Sequence, residues 1–306
     1  MDLDSLRYMW EAHFSNPLWH PRDARRIRRE NARVAHRMRK LKKYIPFVEQ
    51  LQAPPQEEIS PESEKMFSLW YQGENNAPDL IKKCLASVRK FYPDNFIVLD
   101  SQNLAEHTQI PDAIIQKWQQ GKIIAPNFSD VVRIDLLARE GGCWFDATDF
   151  LTGPVPEKIM DCDFFMFVPN KRSYTHMFVQ TCFIRAKQGN PLMKMWRDLI
   201  FEYWLNEEKA VDYFLAHFLF RLLVTYNQEA KDLFAKMPKI EMDPTHVLWH
   251  KIGNLPYSIA LEEEMRKGAF FQKCSYKPQG SRHAVNQIIP GSMADVVVND
   301  KKAGEN

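Results

Sequence analysis

A strand–helix–strand pattern between residues 65 and 100 limits this chain to folds that contain a parallel β-sheet. The apolar run KMFSLWYQG predicts a buried strand, and APDLIKKCLASVRKFYP predicts a helix with one apolar side. NFIVLD, which ends at Asp100, predicts a second buried strand. Two strands that are joined by one helix of this length run parallel to each other. We therefore expect an α/β protein with a mostly parallel central sheet and flanking helices.

The following segments extend this pattern. PDAIIQKWQQGK predicts a helix that begins near Pro111, and SDVVRIDLLARE predicts a helix that Ser129 caps and that Gly141 and Gly142 end. CWF predicts a short strand, with DATDF directly after it. Residues 162–169 and 181–186 are apolar runs of strand length, and residues 191–234 have a helical, aromatic pattern.

The positive charge of the chain is concentrated at its beginning. The net charge is +2, but residues 22–43 contain eleven basic and two acidic side chains. A narrow apolar stripe in this segment, formed by Ile27, Val34, Met38 and Leu41, predicts a basic amphipathic helix. Two alternatives stay open: peripheral contact of residues 22–43 with an anionic membrane, or packing of the stripe against the protein. Nucleic-acid binding is disfavoured because no aromatic residue interrupts the basic run.

The composition of the chain and the positions of its prolines predict its domain boundaries and its cellular compartment. We expect a basic helical segment at residues 1–50, a linker at 51–63 that is rich in Pro, Glu and Ser, and a catalytic domain at 64–306. Five widely spaced cysteines favour free thiols in a reducing compartment. No run of eighteen apolar residues and no secretory signal is present, so we expect a cytoplasmic protein, with the inner face of the cytoplasmic membrane as an alternative location.

The strongest chemical signal is an acidic turn after the CWF strand. Asp146 and Asp149 follow that strand, and ligands bind at strand ends in open α/β sheets. Paired carboxylates suit Mg²⁺ or Mn²⁺ together with a substrate phosphate, although the pair alone also fits a plain Asx-turn. Asp130 and Arg133 lie one helical turn apart and share a face, either toward one ligand or as a surface ion pair.

Together these residues resemble a known family. The run SDVVRIDLLAREGGCWFDATD is similar to the central motif of the bacterial capsular polysaccharide synthesis glycosyltransferases. These are GT-A type, DXD-motif sugar-nucleotide transferases related to glycosyltransferase family thirty-two. LWYQGENNAPDLIKKCLASVRKFYPDNFIVLD resembles the opening of the same family, and the resemblance covers residues 65 to 160 well. Asp212-Tyr213 and the KCSYK run at 273–277 resemble its later blocks.

The resemblance implies roles for individual residues. Trp70 would stack on the nucleotide base, Asp130 would contact the ribose or sugar hydroxyls, and Arg133 would bind the sugar hydroxyls. Asp146 would be the first Asp of the DXD motif and forms the predicted catalytic set with Asp130 and Arg133. The full predicted donor-binding set is Trp70, Gln72, Ser129, Asp130, Arg133, Trp144 and Lys251.

The motif departs from the strict family pattern at its third position. Thr148 stands where a second Asp belongs, so either Thr148 or Asp149 would complete the metal site. The predicted ligands of Mn²⁺ or Mg²⁺ are Asp146, Thr148, Asp149 and His250.

The implied activity is sugar transfer from a nucleoside-diphosphate sugar, with a UDP-sugar favoured. The acceptor would be a glycan or a lipid-linked glycan in capsule or surface polysaccharide synthesis, and the anomeric configuration would be retained. The alternative is a catalytically inactive protein of the same fold that binds nucleotide sugars or glycans, for which the departure at Thr148 leaves room.

Overall fold

The computed structural model of the protein describes residues 21–54, 64–169, 178–277 and 284–301. The predictions for residues 1–20 and for most of the linker lie outside these ranges. The described helices are α1 (Pro21–Leu41), α2 (Ile45–Gln50), α3 (Asp79–Phe91), α4 (Leu104–His107), α5 (Asp112–Gln119), α6 (Ala125–Glu140), α7 (Glu157–Met160), α8 (Pro191–Asn206), α9 (Leu215–Tyr226), α10 (Gln228–Lys236), α11 (Ile259–Gly268) and α12 (Met293–Val298). The strands are β1 (Met66–Leu69), β2 (Phe96–Leu99), β3 (Gly142–Phe145), β4 (Asp149–Leu151), β5 (Phe164–Phe167), β6 (Gln180–Ala186) and β7 (Phe271–Lys273).

The central sheet has five strands in the order β2-β1-β3-β6-β5. β1 pairs in parallel with both β2 and β3, as the strand–helix–strand pattern predicts. β6 runs antiparallel to β3 and to β5, so the remaining four strands share one direction. The predicted α/β fold, with a mostly parallel central sheet and flanking helices, is confirmed.

Glycines explain the sharp change from α6 to β3. Gly141 ends the helix with a φ of 66°, and Gly142 begins the strand with a φ of 98°, both in the left-handed region. A Cβ atom at Gly142 would also collide with the backbone carbonyl of Lys65. Because β1 and β3 approach so closely at this point, Gly142 has no room for a side chain. Gly142 lies four residues before Asp146, the first residue of the acidic turn.

The predicted start of α6 is wrong by five residues, because the N-cap is Ile124 and not Ser129. The helix begins at Ala125, with Pro126 in its first turn, and Ser129 lies inside it rather than at its N-cap. Proline is well suited to a first turn because it lacks the backbone N–H that would have no partner there. Ser129 instead uses its hydroxyl to accept a hydrogen bond from Arg133 Nη2, at 3.0 Å.

A second, two-stranded sheet carries the chain back to the acidic turn. β4 pairs antiparallel with β7, and Asp149 lies directly opposite Lys273 in this register. β4 is fixed from the other side by α3, because the backbone amide of Leu151 donates to Ser87 Oγ at 2.8 Å. This ribbon brings a residue from far along the chain beside the end of β3.

The described part of the N-terminal segment packs on the rest of the protein. Val34 and Leu41 of α1 are buried and belong to the same core cluster as the central sheet. Arg33 and Arg37 make ion pairs with Asp212 at 2.7 and 2.9 Å. The division of the chain at residues 50 and 63 stays a prediction. Within the described ranges, none of the helices combines the length and the apolar composition that a membrane span requires.

Candidate active site

Asp146 occupies the centre of the site at the carboxyl end of β3. Its Oδ1 atom accepts a hydrogen bond from Trp144 Nε1 at 3.0 Å and lies 3.0 Å from Arg133 Nη2. Its Oδ2 atom lies 2.5 Å from Lys273 Nζ. The side chain is 24% exposed, so an incoming ligand can reach it. Burial alone would raise the pKa of Asp146, but Arg133 and Lys273 outweigh burial and lower it, so this group is a carboxylate at neutral pH.

Arg133 is held rigidly beneath Asp146. Its Nε atom donates to the Ser129 carbonyl at 3.2 Å, and its Nη1 atom donates to the Thr181 carbonyl at 2.6 Å. The guanidinium also lies 5.0 Å from the ring centre of Trp144, a cation–π distance. The side chain is only 6% exposed. Arg133 therefore positions Asp146, and a direct contact with donor hydroxyls stays a prediction.

Asp130 lies on the same helical face, as its spacing from Arg133 predicts. Its Oδ1 atom is 3.5 Å from Arg133 Nε, and both side chains are buried, so this is not a surface ion pair. Burial raises the pKa of Asp130 to about 6, although Arg133 opposes the shift, and the nearby Asp146 adds to it. A carboxyl group of this kind can accept a hydrogen bond when ionised and can donate one when protonated.

Asp149 differs from Asp146 although only two residues separate them. It is fully buried, its Oδ2 atom accepts from the Asp146 backbone amide at 3.2 Å, and its Oδ1 atom is 3.3 Å from Lys273 Nζ. Burial raises its pKa to about 7 against the opposing effect of Lys273, and Asp146 raises it further. Thr148 is half-buried between the two, and its backbone carbonyl accepts from Cys274 at 2.8 Å. Asp149 thus supports the turn from inside, where a ligand does not reach it.

The predicted base-stacking residue lies beside the acidic turn. Trp70 follows β1 and packs against a small apolar cluster that includes Ala147. Its ring meets the ring of Tyr276 edge-on, at 5.7 Å between centres, and Tyr276 is 44% exposed. Gln72 is exposed at the start of the next turn. Trp144, by contrast, is 1% exposed, so in this arrangement its indole supports Asp146 rather than a ligand.

The remaining predicted residues lie on the segment at 243–252, which β7 holds in place. Gln272 accepts from the Leu248 amide at 2.9 Å and donates to the Pro244 carbonyl at 3.0 Å. His250 stacks on His246 with 5.5 Å between ring centres. Burial, reinforced by Lys251, lowers the pKa of His250, and burial lowers the pKa of Lys251 to about 8. A neutral histidine and a lysine that gives up its proton more readily than usual therefore occupy this side of β7.

The arrangement around Asp146 does not fit a divalent cation while Lys273 stays in place. Both oxygens of Asp146 already contact Trp144, Arg133 or Lys273, whereas Mg²⁺ or Mn²⁺ needs oxygen ligands directed toward it. Among the residues that the structure describes, no group of three or more His, Cys, Asp or Glu side chains could hold a metal ion. The predicted set of Asp146, Asp149 and His250 is therefore not assembled, and dependence on Mn²⁺ or Mg²⁺ stays a prediction.

Lys273 is the member of this site that the sequence did not assign. It lies 127 residues after Asp146 and reaches that residue only because β7 pairs with β4. The one available signal was the KCSYK run, which resembles a later block of the family. Burial alone would lower the pKa of Lys273, but Asp146 and Asp149 raise it, so the ammonium group stays charged.

Comparison with known proteins agrees with this geometry. The sequence model of a family described as capsular polysaccharide synthesis protein matches residues 18–289, which is most of the chain. The chain belongs to this family. The matched range contains every residue of the site described above, together with the basic helix α1. The predicted resemblance to the capsular polysaccharide synthesis family is confirmed, whereas a relation to glycosyltransferase family thirty-two stays a prediction.

The individual proteins that match this chain are distant from it. An O-glycosyltransferase, braB of Annulohypoxylon truncatum, is 26% identical over an alignment of 157 residues, with coverage of 45% of this chain and 37% of that relative. The match therefore spans well under half of the relative's length. A PaToxG glycosyltransferase structure has 18% identity and a TM-score of 0.39, and covers 68% of this chain and 82% of its own. A transferase mutant structure has 9% identity and a TM-score of 0.34, and covers 63% and 98%. Both structural similarities are too weak to bear on fold or function.

Proposed function

We propose that this protein is a glycosyltransferase that moves a sugar from a nucleoside-diphosphate sugar, in the first instance a UDP-sugar, to a hydroxyl group of a glycan or lipid-linked glycan. The observation that carries the proposal is the convergence of Asp146, Arg133 and Lys273 at the end of a parallel strand. A reachable carboxylate beside a charged ammonium group suits a ligand that combines sugar hydroxyls with a diphosphate. Membership in the capsular polysaccharide synthesis family supports the same chemistry.

The reaction breaks one bond and forms another at the anomeric carbon. The bond from that carbon to the diphosphate oxygen breaks, and its electron pair stays on the departing nucleoside diphosphate. The acceptor oxygen forms the new bond, and its proton leaves with the diphosphate or with solvent. The family resemblance supports retention, which corresponds to attack from the side of the leaving group. The protein would contribute orientation and fixed charge near the developing diphosphate.

Each part of the site has a role in this proposal. Trp70, beside the acidic turn, offers a flat apolar face to the base, and Gln72 is exposed next to it. Asp146 accepts hydrogen bonds from donor hydroxyls, while Arg133 keeps its carboxylate in place. Tyr213 is 56% exposed, and Asp130 and Asp146 are close enough to raise its pKa together with burial, so it marks the side from which an acceptor approaches.

A second candidate function is a binding protein of the same fold without catalysis. The observation in its favour is that Thr148 replaces the second motif Asp and that the neighbouring Asp149 is fully buried. Such a protein would bind a nucleotide sugar or a glycan but would not release the nucleotide. The two functions therefore differ in one measurable product.

The test is a panel of UDP-, GDP- and ADP-sugars incubated with the full chain and simple sugar acceptors, with release of free nucleotide as the readout. We expect release from at least one donor, and Asp146→Asn should lower it about 1,000-fold while the circular dichroism spectrum is unchanged. Asp163→Asn is the matched control, because that carboxylate makes a single surface ion pair with Lys187 and is 64% exposed. Tight donor binding without any nucleotide release would favour the binding protein instead.

The acceptor proposal includes contact with an anionic membrane surface, on the inner face of the cytoplasmic membrane. Asp212 engages Arg33 and Arg37, but α1 and the turn directly after it keep other basic side chains exposed: Arg28, Arg29, Arg39, Lys40, Lys42 and Lys43. Since Val34 and Leu41 are buried in the protein, the contact would be electrostatic. Sedimentation with vesicles should require anionic lipid and fail at high salt, and binding to neutral vesicles would contradict it.

A further inference from the structure

Lys273 stands at the point where the two acidic residues of the turn face each other. In the β4–β7 ribbon it is the direct cross-strand partner of Asp149, so the backbone pairing fixes its side chain on this face. Its Nζ atom is 2.5 Å from Asp146 Oδ2 and 3.3 Å from Asp149 Oδ1. The ammonium group thus contacts one oxygen of each carboxylate, which is the position that a cation shared by the pair would take.

The surroundings leave Lys273 able to meet a ligand as well. An ammonium group has three N–H donors, of which one is hydrogen-bonded to Asp146 Oδ2, while Asp149 Oδ1 is a looser ion-pair contact at 3.3 Å and accepts no hydrogen bond from the described residues. The side chain of Lys273 is 20% exposed, and that of Asp146, which it contacts, is 24% exposed. Tyr276, three residues further on, meets the ring of Trp70, so the segment after β7 runs from the acidic turn toward the predicted base site. A diphosphate between base and sugar would lie along this path.

We propose that the ammonium group of Lys273 is the resident cation of the donor diphosphate site and takes the place of a divalent metal ion. This inference rests on the proposed glycosyl transfer. When the anomeric bond breaks, the departing diphosphate gains negative charge, and an N–H of Lys273 that is not bonded to Asp146 donates to one of its oxygens. Lys273 keeps its own proton and charge throughout, so the step needs no further reactant. The contacts with Asp146 and Asp149 keep the ammonium group at the position where the leaving diphosphate would bind.

This assignment is based on the carboxylate oxygens of the acidic turn, which already have partners in the protein, and not on the lack of an ion. Asp146 Oδ1 already faces Arg133 and Trp144, and Asp149 Oδ2 accepts a backbone hydrogen bond. A divalent ion would have to displace Lys273 from both acids, and the displaced ammonium group would lose its hydrogen bond to the Asp146 carboxylate and its contact with Asp149. Mg²⁺ also demands near-ideal octahedral geometry, which a fully buried Asp149 and a half-buried Thr148 do not present.

Lys273→Met removes the charge and keeps the length of the side chain. Lys187→Met is the matched control, because Lys187 is 25% exposed and pairs with Asp163 at 2.9 Å, outside the site. Both variants and the wild type are dialysed against EDTA and assayed on the donor that the panel identifies, with and without added Mn²⁺. We expect the wild type and Lys187→Met to keep their turnover without metal, within about 2-fold, and Lys273→Met to lose about 100-fold.

Direct titration with Mn²⁺, followed by the paramagnetic resonance signal of the free ion, provides a readout that is independent of activity. In the absence of UDP, which itself chelates Mn²⁺, the wild type should leave the ion free, whereas Lys273→Met should bind it because the position between the acids is vacated. A wild type that binds Mn²⁺ and loses its turnover in EDTA would overturn the proposal, as would full metal-free turnover of Lys273→Met. If Lys273→Met does not fold, Lys273→Arg keeps the charge and should still leave Mn²⁺ free.

Failure of the proposed function has a different signature. If no donor in the panel releases nucleotide under any metal condition, glycosyl transfer is rejected. The titration then still decides the cation question: uptake of Mn²⁺ by the wild type would reject a resident lysine, and uptake by Lys273→Met alone would support it.

Discussion

Two carboxylates in this protein are each held by two cations, but their exposure is reversed. At the candidate active site, Asp146 is 24% exposed while its partner Arg133 is 6% exposed. At the junction with α1, Asp212 is 2% exposed while its partners Arg33 and Arg37 are 36% and 28% exposed. The first arrangement buries cationic charge beneath a carboxylate that a ligand can reach. The second buries the carboxylate, so the same pairing can only fasten a helix.

The hydrogen bonds of the two arginine groups show the same division. Arg33 binds Asp212 through two parallel contacts of 3.0 and 2.7 Å, and Arg37 adds one of 2.9 Å, so the acid receives nearly all of its partners from α1. Arg133 spreads its donors over Ser129, Thr181 and Asp146. An acid that collects donors stabilises a junction, whereas an arginine that distributes donors fixes the geometry of several groups at once.

The largest expected effect comes from Arg133→Lys. A lysine has one nitrogen and cannot reach the Ser129 and Thr181 carbonyls and Asp146 together, so a buried acceptor loses its partner. We expect a loss of about 2 kcal/mol in the free energy of unfolding and about 100-fold in kcat, with a smaller change in KM. Chemical denaturation and donor turnover measure the two effects.

Arg37→Lys is the matched comparison for that variant. Arg37 contacts Asp212 through one nitrogen, which a lysine can replace, and its side chain is 28% exposed. We expect a change below about 0.5 kcal/mol and unaltered kcat. Equal losses in Arg133→Lys and Arg37→Lys would show that the two groups are alike and would remove the basis of the comparison.

The next largest effect is expected from Asp212→Ala. This change removes the buried partner of Arg33 and Arg37 and also the acceptor of the Phe214 amide, at 3.1 Å. Because both arginines can turn to solvent, the loss should be about 2 kcal/mol, below the cost of stranding a fully buried charge. Hydrogen exchange should show faster opening of α1, with β3 unaffected. Uniform acceleration across both would mean that α1 is not a separately fastened element.

The comparison also shows what a sequence can reveal. β1, α3 and β2 are predictable because local apolar periodicity and the prolines around them act over a few residues. The α6–β3 junction is predictable because Gly141 and Gly142 supply the backbone angles it needs. The start of α6 was misjudged because Ser129 has the composition of an N-cap, while Pro126, three residues earlier, is the residue that the first turn uses.

The two charged clusters could not be derived in this way. Lys273 meets Asp149 through an antiparallel pairing of strands that lie more than 100 residues apart, and no local pattern encodes that register. Arg33 and Asp212 are 179 residues apart in the sequence. The sequence of a basic helix has the same pattern whether the helix faces solvent, lipid or one buried acid. The members with local partners, Asp130, Arg133 and Asp146, were predictable because one helix and one strand carry them.

The stabilities of the two clusters should also depend on pH in opposite directions. Burial raises the pKa of Asp149 to about 7, so between about pH 4 and pH 7 the folded protein binds more protons than the unfolded chain, and stability falls as the pH rises. The pKa of Asp212 is lowered because Arg33, the Phe214 amide and Arg37 outweigh burial, so its contribution is present above about pH 4 and is lost in acid. Asp149→Asn should flatten the decline between about pH 4 and pH 7 by about 1 kcal/mol, as followed by urea denaturation, and should leave the loss of stability in acid unchanged. Asp212→Asn should reduce the loss of stability in acid and leave the decline at higher pH unchanged. Identical profiles for the two variants would contradict a raised pKa of Asp149 and a lowered pKa of Asp212.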